Sequence, residues 1–97
     1  MSFKALDLAV ELYQECEKLK IKNPVKDQLL RASLSIALNI TEGSGRNSLK
    51  DQKRFYSIAM GSTREVQCLV KIIKNKELER QYDHLGALVY GLCRMRR

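Results

Sequence analysis

Apolar residues recur along this chain every three or four positions, the period of an amphipathic α-helix, and they do so in four blocks. In residues 3–21, Phe3, Leu6, Val10 and Tyr13 form one row, and Ala9, Leu12, Cys16 and Leu19 form the next. Asp7, Glu11, Glu15 and Lys18 supply a polar face. Asn23-Pro24 fits a helix start, with Asn23 as N-cap and the proline, which lacks an N–H, in first position. A second helix is predicted over 24–41, with Gly43 in the Glu42–Asn47 turn cluster as the left-handed residue beyond its end. Ser48, followed three residues on by Asp51, has the form of a capping box and opens a third helix over about 48–75. There Phe55, Ala59, Ser62, Val66, Leu69 and Ile73 hold the rhythm. Lys76-Glu77 reads as a short connection to a fourth helix over 78–95, with Leu78, Tyr82, Leu85, Val89 and Leu92 in a row. No β-type alternation exceeds four residues, and no linker or internal repeat intervenes. The expected fold is all-α: one domain over 1–97, an antiparallel up-down-up-down four-helix bundle.

The second helix is too apolar for a surface helix. Leu29, Ala32, Ile36 and Ile40 make one stripe; Leu30, Leu34 and Leu38 make another; between Leu29 and Ile40 the only charge is Arg31. A helix at a protein surface needs one apolar stripe. A chain of 97 residues has too little mass to cover both, so the second stripe is expected to meet another copy of the chain.

Composition narrows the class. No apolar run approaches the length of a membrane span, and the Met-Ser-Phe-Lys start lacks the apolar core of a secretory signal. Cys16, Cys68 and Cys93 are odd in number and widely spaced; they make neither a zinc pattern nor a disulfide framework. They read as small hydrophobes in a reducing, cytoplasmic setting, with no metal and no cofactor expected. Catalytic candidates are sparse. His84 is the sole histidine, and Gly43-Ser44-Gly45-Arg46 lacks the phosphate-loop pattern and follows a helix rather than a strand. Glu42 and Glu65 read as hydrogen-bonded structural groups. No enzymatic activity is expected.

Charge adds a positive hint. Lys and Arg number 18 against 11 Asp and Glu, a net charge of +7. Residues 48–76 hold seven basic and two acidic side chains, so five of the seven net charges lie there. At about 100° per residue, Lys50, Lys53, Arg54, Arg64, Lys71 and Lys74 fall in an arc roughly 160° wide, opposite the apolar row. Asp51 and Glu65 lie off that arc. Arg46 enters from the preceding turn, and Arg94, Arg96 and Arg97 form a second basic spot. A solvated face usually mixes signs; this one points to nucleic-acid phosphates. Tyr56 could stack on a base, although a place at the core edge suits it better. No helix-turn-helix, zinc-finger or other base-reading motif is present, so sequence-specific recognition is not expected.

Two longer stretches carry a resemblance. Arg31-Ala32-Ser33-Leu34-Ser35-Ile36-Ala37-Leu38-Asn39-Ile40-Thr41-Glu42-Gly43 resembles the RAxxSIxxNIAEG signature of the four-helix-bundle proteins encoded in intervening sequences of large-subunit ribosomal RNA. Arg54-Phe55-Tyr56-Ser57-Ile58-Ala59-Met60-Gly61-Ser62 with Glu65 resembles that family's RFLxxAxGSxxE signature. Thr41 replaces the usual Ala. The resemblance implies a bundle that assembles as a homopentameric ring or barrel. It also implies kinship with the accessory proteins of diversity-generating retroelements, which pair with a reverse transcriptase, bind nucleic acid through a basic surface and support mutagenic retrohoming.

Within these signatures Arg31, Ser35, Asn39 and Glu42 share one helix face. Together with Ser62 and Glu65 they are expected to form a buried polar network that fixes register and subunit packing, with Arg31 paired to Glu65 and Gly61-Ser62 admitting a neighbouring helix. Direct contact of Asn39 or Glu42 with a ligand is the functional alternative. Two function classes stay open: a basic oligomeric adaptor for RNA or DNA and a reverse transcriptase, or a structural module whose charge only keeps it soluble.

Overall fold

The computed structural model describes residues 3–95. Its helices are α1 (Lys4–Glu17), α2 (Val25–Ser44), α3 (Leu49–Ile72) and α4 (Lys76–Cys93). Each packs on the next and α4 closes on α1, giving a four-helix bundle 42 Å long and about 20 Å across. Among the described residues no helix is long and apolar enough to cross a membrane. The core comes from one stripe per helix: Ala5, Ala9, Leu12 and Cys16; Leu29, Ala32, Ile36 and Ile40; Ala59, Val66 and Val70; Leu78, Tyr82, Leu85 and Val89. Its polar atoms are paired. The Cys16 thiol and the Tyr82 hydroxyl lie 3.3 Å apart, and burial pushes the titration of both upward.

The ends of the helices show which local rules operate. α1 stops at Glu17, earlier than its apolar period suggests, because Lys26 reaches back and donates from Nζ to the carbonyls of Cys16, Glu17 and Leu19. Pro24 lies just before α2 rather than in its first position, and the Asn23 side chain accepts from the Asp27 N–H at 3.1 Å. Ser48 caps α3 as expected, accepting from Asp51 N at 3.1 Å. Lys76 and Glu77 belong to α4 instead of the connection, since Asn75 is the N-cap and accepts from Leu78 N at 3.0 Å. The α3–α4 turn is a Schellman motif: Asn75 N donates to Val70 O and Lys74 N to Lys71 O, with Lys74 itself left-handed at φ 58°.

Two expectations about glycine change. Gly43 does not end α2; it lies buried within it, and the helix runs to Ser44. A Cβ at Gly43 would stand 2.7 Å from the Tyr56 ring and 3.1 Å from the Gln52 carbonyl, so the missing side chain lets α2 and α3 approach where they meet. Gly61 faces open space and admits no helix of its own chain.

The core face of α3 is also rotated, by about 60°, from the row read in the sequence. Tyr56, Ala59, Thr63, Val66 and Val70 are buried, whereas Phe55, Ser62, Leu69 and Ile73 are only partly covered. α3 packs against both α2 and α4, and Thr63 can face inward because its hydroxyl donates to the Ala59 carbonyl at 2.8 Å.

Candidate nucleic-acid interface

The rotation of α3 brings its core face closer to the basic arc, which no longer lies opposite the core but stays at the surface. Lys50, Arg54, Arg64, Lys71 and Lys74 are exposed and Lys53 is partly covered. None of these six makes an ion pair among the described residues. From Lys50 to Lys71 the arc runs about 31 Å at the rise of an α-helix. Tyr56 is 2% exposed, which removes it as a base-stacking residue. Its neighbour Phe55 takes the aromatic role at the surface: the guanidinium of Arg46 lies 4.6 Å from the Phe55 ring centroid, and that of Arg54 lies 4.7 Å from the same centroid. Arg46 is held further by Glu42, at 2.9 Å.

α4 contributes to the same end of the bundle. Cys93 lies near Ser57 and Lys53, which favour its thiolate, although burial is the larger influence and pushes its thiol upward. The next residue, Arg94, packs over the Tyr90 ring at 5.7 Å and donates to its hydroxyl at 3.2 Å. The basic end therefore gathers Arg46, Lys50, Lys53, Arg54 and Arg94. Arg96 and Arg97 lie outside the described residues. The sequence carried one signal for this addition, the Tyr90–Arg94 pair at i,i+4. Nothing in it showed that Phe55 would seat two arginines, because Arg46 comes from the turn before α3.

The polar signature residues line the seam between α2 and α3. Arg31 pairs with Glu65 and also donates to Gln28. One rung along, the Ser35 and Ser62 hydroxyls are 2.8 Å apart, and the Asn39 amide donates to the Ser35 hydroxyl at 3.1 Å. Glu42 stands apart from this ladder, paired with Arg46. Within a single chain the network is not buried: the Arg31 and Glu65 side chains are 56% and 41% exposed. A pair that wet is worth about 1 kcal/mol or less to the fold of one subunit.

Of the second apolar stripe, Leu30 is partly covered, while Leu34 is 41% and Leu38 58% exposed. The register set by Ser35–Ser62 brings Ile58 of α3, 46% exposed, level with Asn39 beside Leu38. Val10 of α1 is exposed as well.

Other chemistry is thin. A cleft of about 160 Å³ between α1 and α4 is lined by Glu15, Leu19, Asn75, Glu77, Leu78 and Gln81, and is small for a ligand pocket. Among the described residues no three His, Cys, Asp or Glu side chains come together as a metal site. His84 is exposed on α4.

The model of the 23S rRNA-intervening sequence protein family matches residues 2–95. None of the curated proteins compared with the chain matches it. A crystal structure at 1.70 Å of a protein of unknown function, from the S23 ribosomal protein family of Bacteroides thetaiotaomicron VPI-5482, is similar with a TM-score of 0.62. It is 23% identical, over 94% of this chain and 89% of that one, a likeness that speaks for the fold alone.

Proposed function

The chain belongs to the 23S rRNA-intervening sequence protein family, and we propose that it is a non-enzymatic, oligomeric cytoplasmic protein that binds the backbone of RNA or DNA through the outer face of α3. The observation that carries this is the segregation of sign: Lys50, Lys53, Arg54, Arg64 and Lys71 share one arc of α3, while Lys74, expected on the same arc, lies in the turn beyond the helix; none of the six is ion-paired among the described residues, and the acidic Glu65 beside them is engaged by Arg31. Backbone contacts of this kind supply affinity without reading bases. Titration of labelled structured RNA, single-stranded RNA and DNA should show binding of all three with similar affinity. Absence of binding even at low salt would leave the structural or protein-interaction module as the better reading.

Oligomerisation rests on Leu34 and Leu38, 41% and 58% exposed on a helix whose other stripe already fills the core. Covering a leucine fully contributes about 1.5–3 kcal/mol, and the resemblance favours five copies in a ring. Leu34→Glu should leave the bundle folded and dissociate the assembly in sedimentation velocity, because a carboxylate in an apolar contact is costly. A wild-type monomer at micromolar concentration would sink the idea.

The resemblance to the accessory proteins of diversity-generating retroelements extends the proposal to a partner, a reverse transcriptase, and to mutagenic retrohoming. Co-purification with a reverse transcriptase encoded beside this gene tests that part.

A further inference from the structure

We propose that Arg54, seated on the Phe55 ring, is the anchor of the basic face: a preorganised fork for one phosphodiester, around which the lysines supply only diffuse attraction. The inference rests on the nucleic-acid reading above and assigns to one residue a role that charge alone does not give.

Two guanidinium groups share the Phe55 ring, at 4.6 Å and 4.7 Å from its centroid. They are not equivalent. Arg46 has its charge met by Glu42 at 2.9 Å, and its carbonyl accepts from the Gln52 side chain at 3.0 Å. Arg54 has no ion pair and no side-chain hydrogen bond among the described residues. The ring thus restrains the Arg54 guanidinium while its N–H donors stay unclaimed. A guanidinium stacked on an aromatic face has already lost much of its rotamer freedom, so less is lost when it closes on an anion. Its planar donors match two oxygens of one phosphate, which a lysine ammonium cannot do. The neighbouring Arg46, held by Glu42 and the same ring, keeps the local potential positive without competing for the phosphate. By contrast Lys50, Arg64 and Lys71 have no aromatic platform among the described residues.

Charge-conserving substitution separates an anchor from diffuse charge. The probe is fluorescein-labelled oligouridylate of about 20 nucleotides, which offers phosphates with little base structure. Arg54→Lys keeps the charge and loses the fork. It should weaken binding about 10-fold, with the log–log salt slope unchanged because that slope counts neutralised charges. Arg54→Ala should weaken binding further and reduce the slope by about 0.7. Phe55→Leu keeps apolar bulk and removes the platform; it should weaken binding about 3- to 10-fold with a melting curve near wild type. Lys50→Arg, the reciprocal change nearby, should gain less than about 2-fold. If Arg54→Lys binds like wild type, the anchor is wrong and the face is diffuse charge. If the wild type itself fails to bind, the nucleic-acid reading falls instead.

Discussion

Replacing Lys50, Arg54 and Lys71 together by Glu is expected to weaken nucleic-acid binding by roughly 10²–10³-fold at about 0.1 M salt. A phosphate contact on a duplex contributes a slope of about −0.9, or nearly 8-fold in affinity between about 1 M and 0.1 M salt, and three such contacts multiply. All three side chains are exposed and unpaired, so the bundle should melt near the wild-type temperature. The net charge falls from +7 to +1, two units for each reversal. A control with the same change elsewhere isolates position from total charge: Lys18, Lys20 and Lys22, all exposed near the end of α1, replaced by Glu. That control should retain most of the affinity. Equal loss in both variants would mean that the overall field, not the α3 face, holds the nucleic acid.

Gly43→Val should destabilise the bundle by about 3 kcal/mol, and urea unfolding would show the midpoint move without a large change in slope. The new Cβ would fall 2.7 Å and 2.9 Å from two Tyr56 ring carbons and 3.1 Å from the Gln52 carbonyl. Tyr56 is 2% exposed, so its ring has no solvent to swing into, and a backbone carbonyl yields only if α3 shifts. Gly86 offers the contrast. Its nearest neighbour, 2.7 Å away, is the end of the flexible Gln67 side chain, which can move aside at the cost of its 3.3 Å hydrogen bond to the Tyr82 carbonyl. Gly86→Ala gains up to about 1 kcal/mol of helix propensity and should be close to neutral. Gly43 also sets the approach of α2 to α3 just before Arg46, so its replacement should loosen the two-arginine stack on Phe55 along with the fold.

The four helices and their order were legible because the 3.6-residue period is long and uninterrupted in each. The core stripes of α2 and α4 follow from the same period, whereas of the two α1 rows only Ala9, Leu12 and Cys16 are buried and Val10 of the other row is exposed. The rotation of α3 was less visible. Its buried positions include Tyr56 and Thr63, residues whose polar atoms conceal their burial until partners such as the Ala59 carbonyl are known. Helix ends failed where a side chain from a distant position intervened, as Lys26 does at α1, or where a non-glycine took the left-handed position, as Lys74 does after α3. Gly43 misled for a related reason: a glycine near a helix end serves equally for a left-handed turn or for close approach, and only the position of Tyr56 decides. The basic arc could be placed on one face from spacing alone. The seating of Arg54 could not, because side-chain placement on the Phe55 ring, and the arrival of Arg46 at the same ring from the α2–α3 turn, follow only from the packed structure. The exposure of Arg31 and Glu65 was likewise hidden, since their pairing across two helices says nothing about how deep the pair lies.

The salt dependence of wild-type binding tests the central claim most directly. With single-stranded RNA of about 20 nucleotides, affinity measured between about 50 and 300 mM salt should fall on a straight log–log line of slope roughly −2 to −4, the signature of three to five neutralised phosphates per site. A flat line, or no measurable binding at about 50 mM salt, would contradict the assignment of the α3 face to nucleic acid.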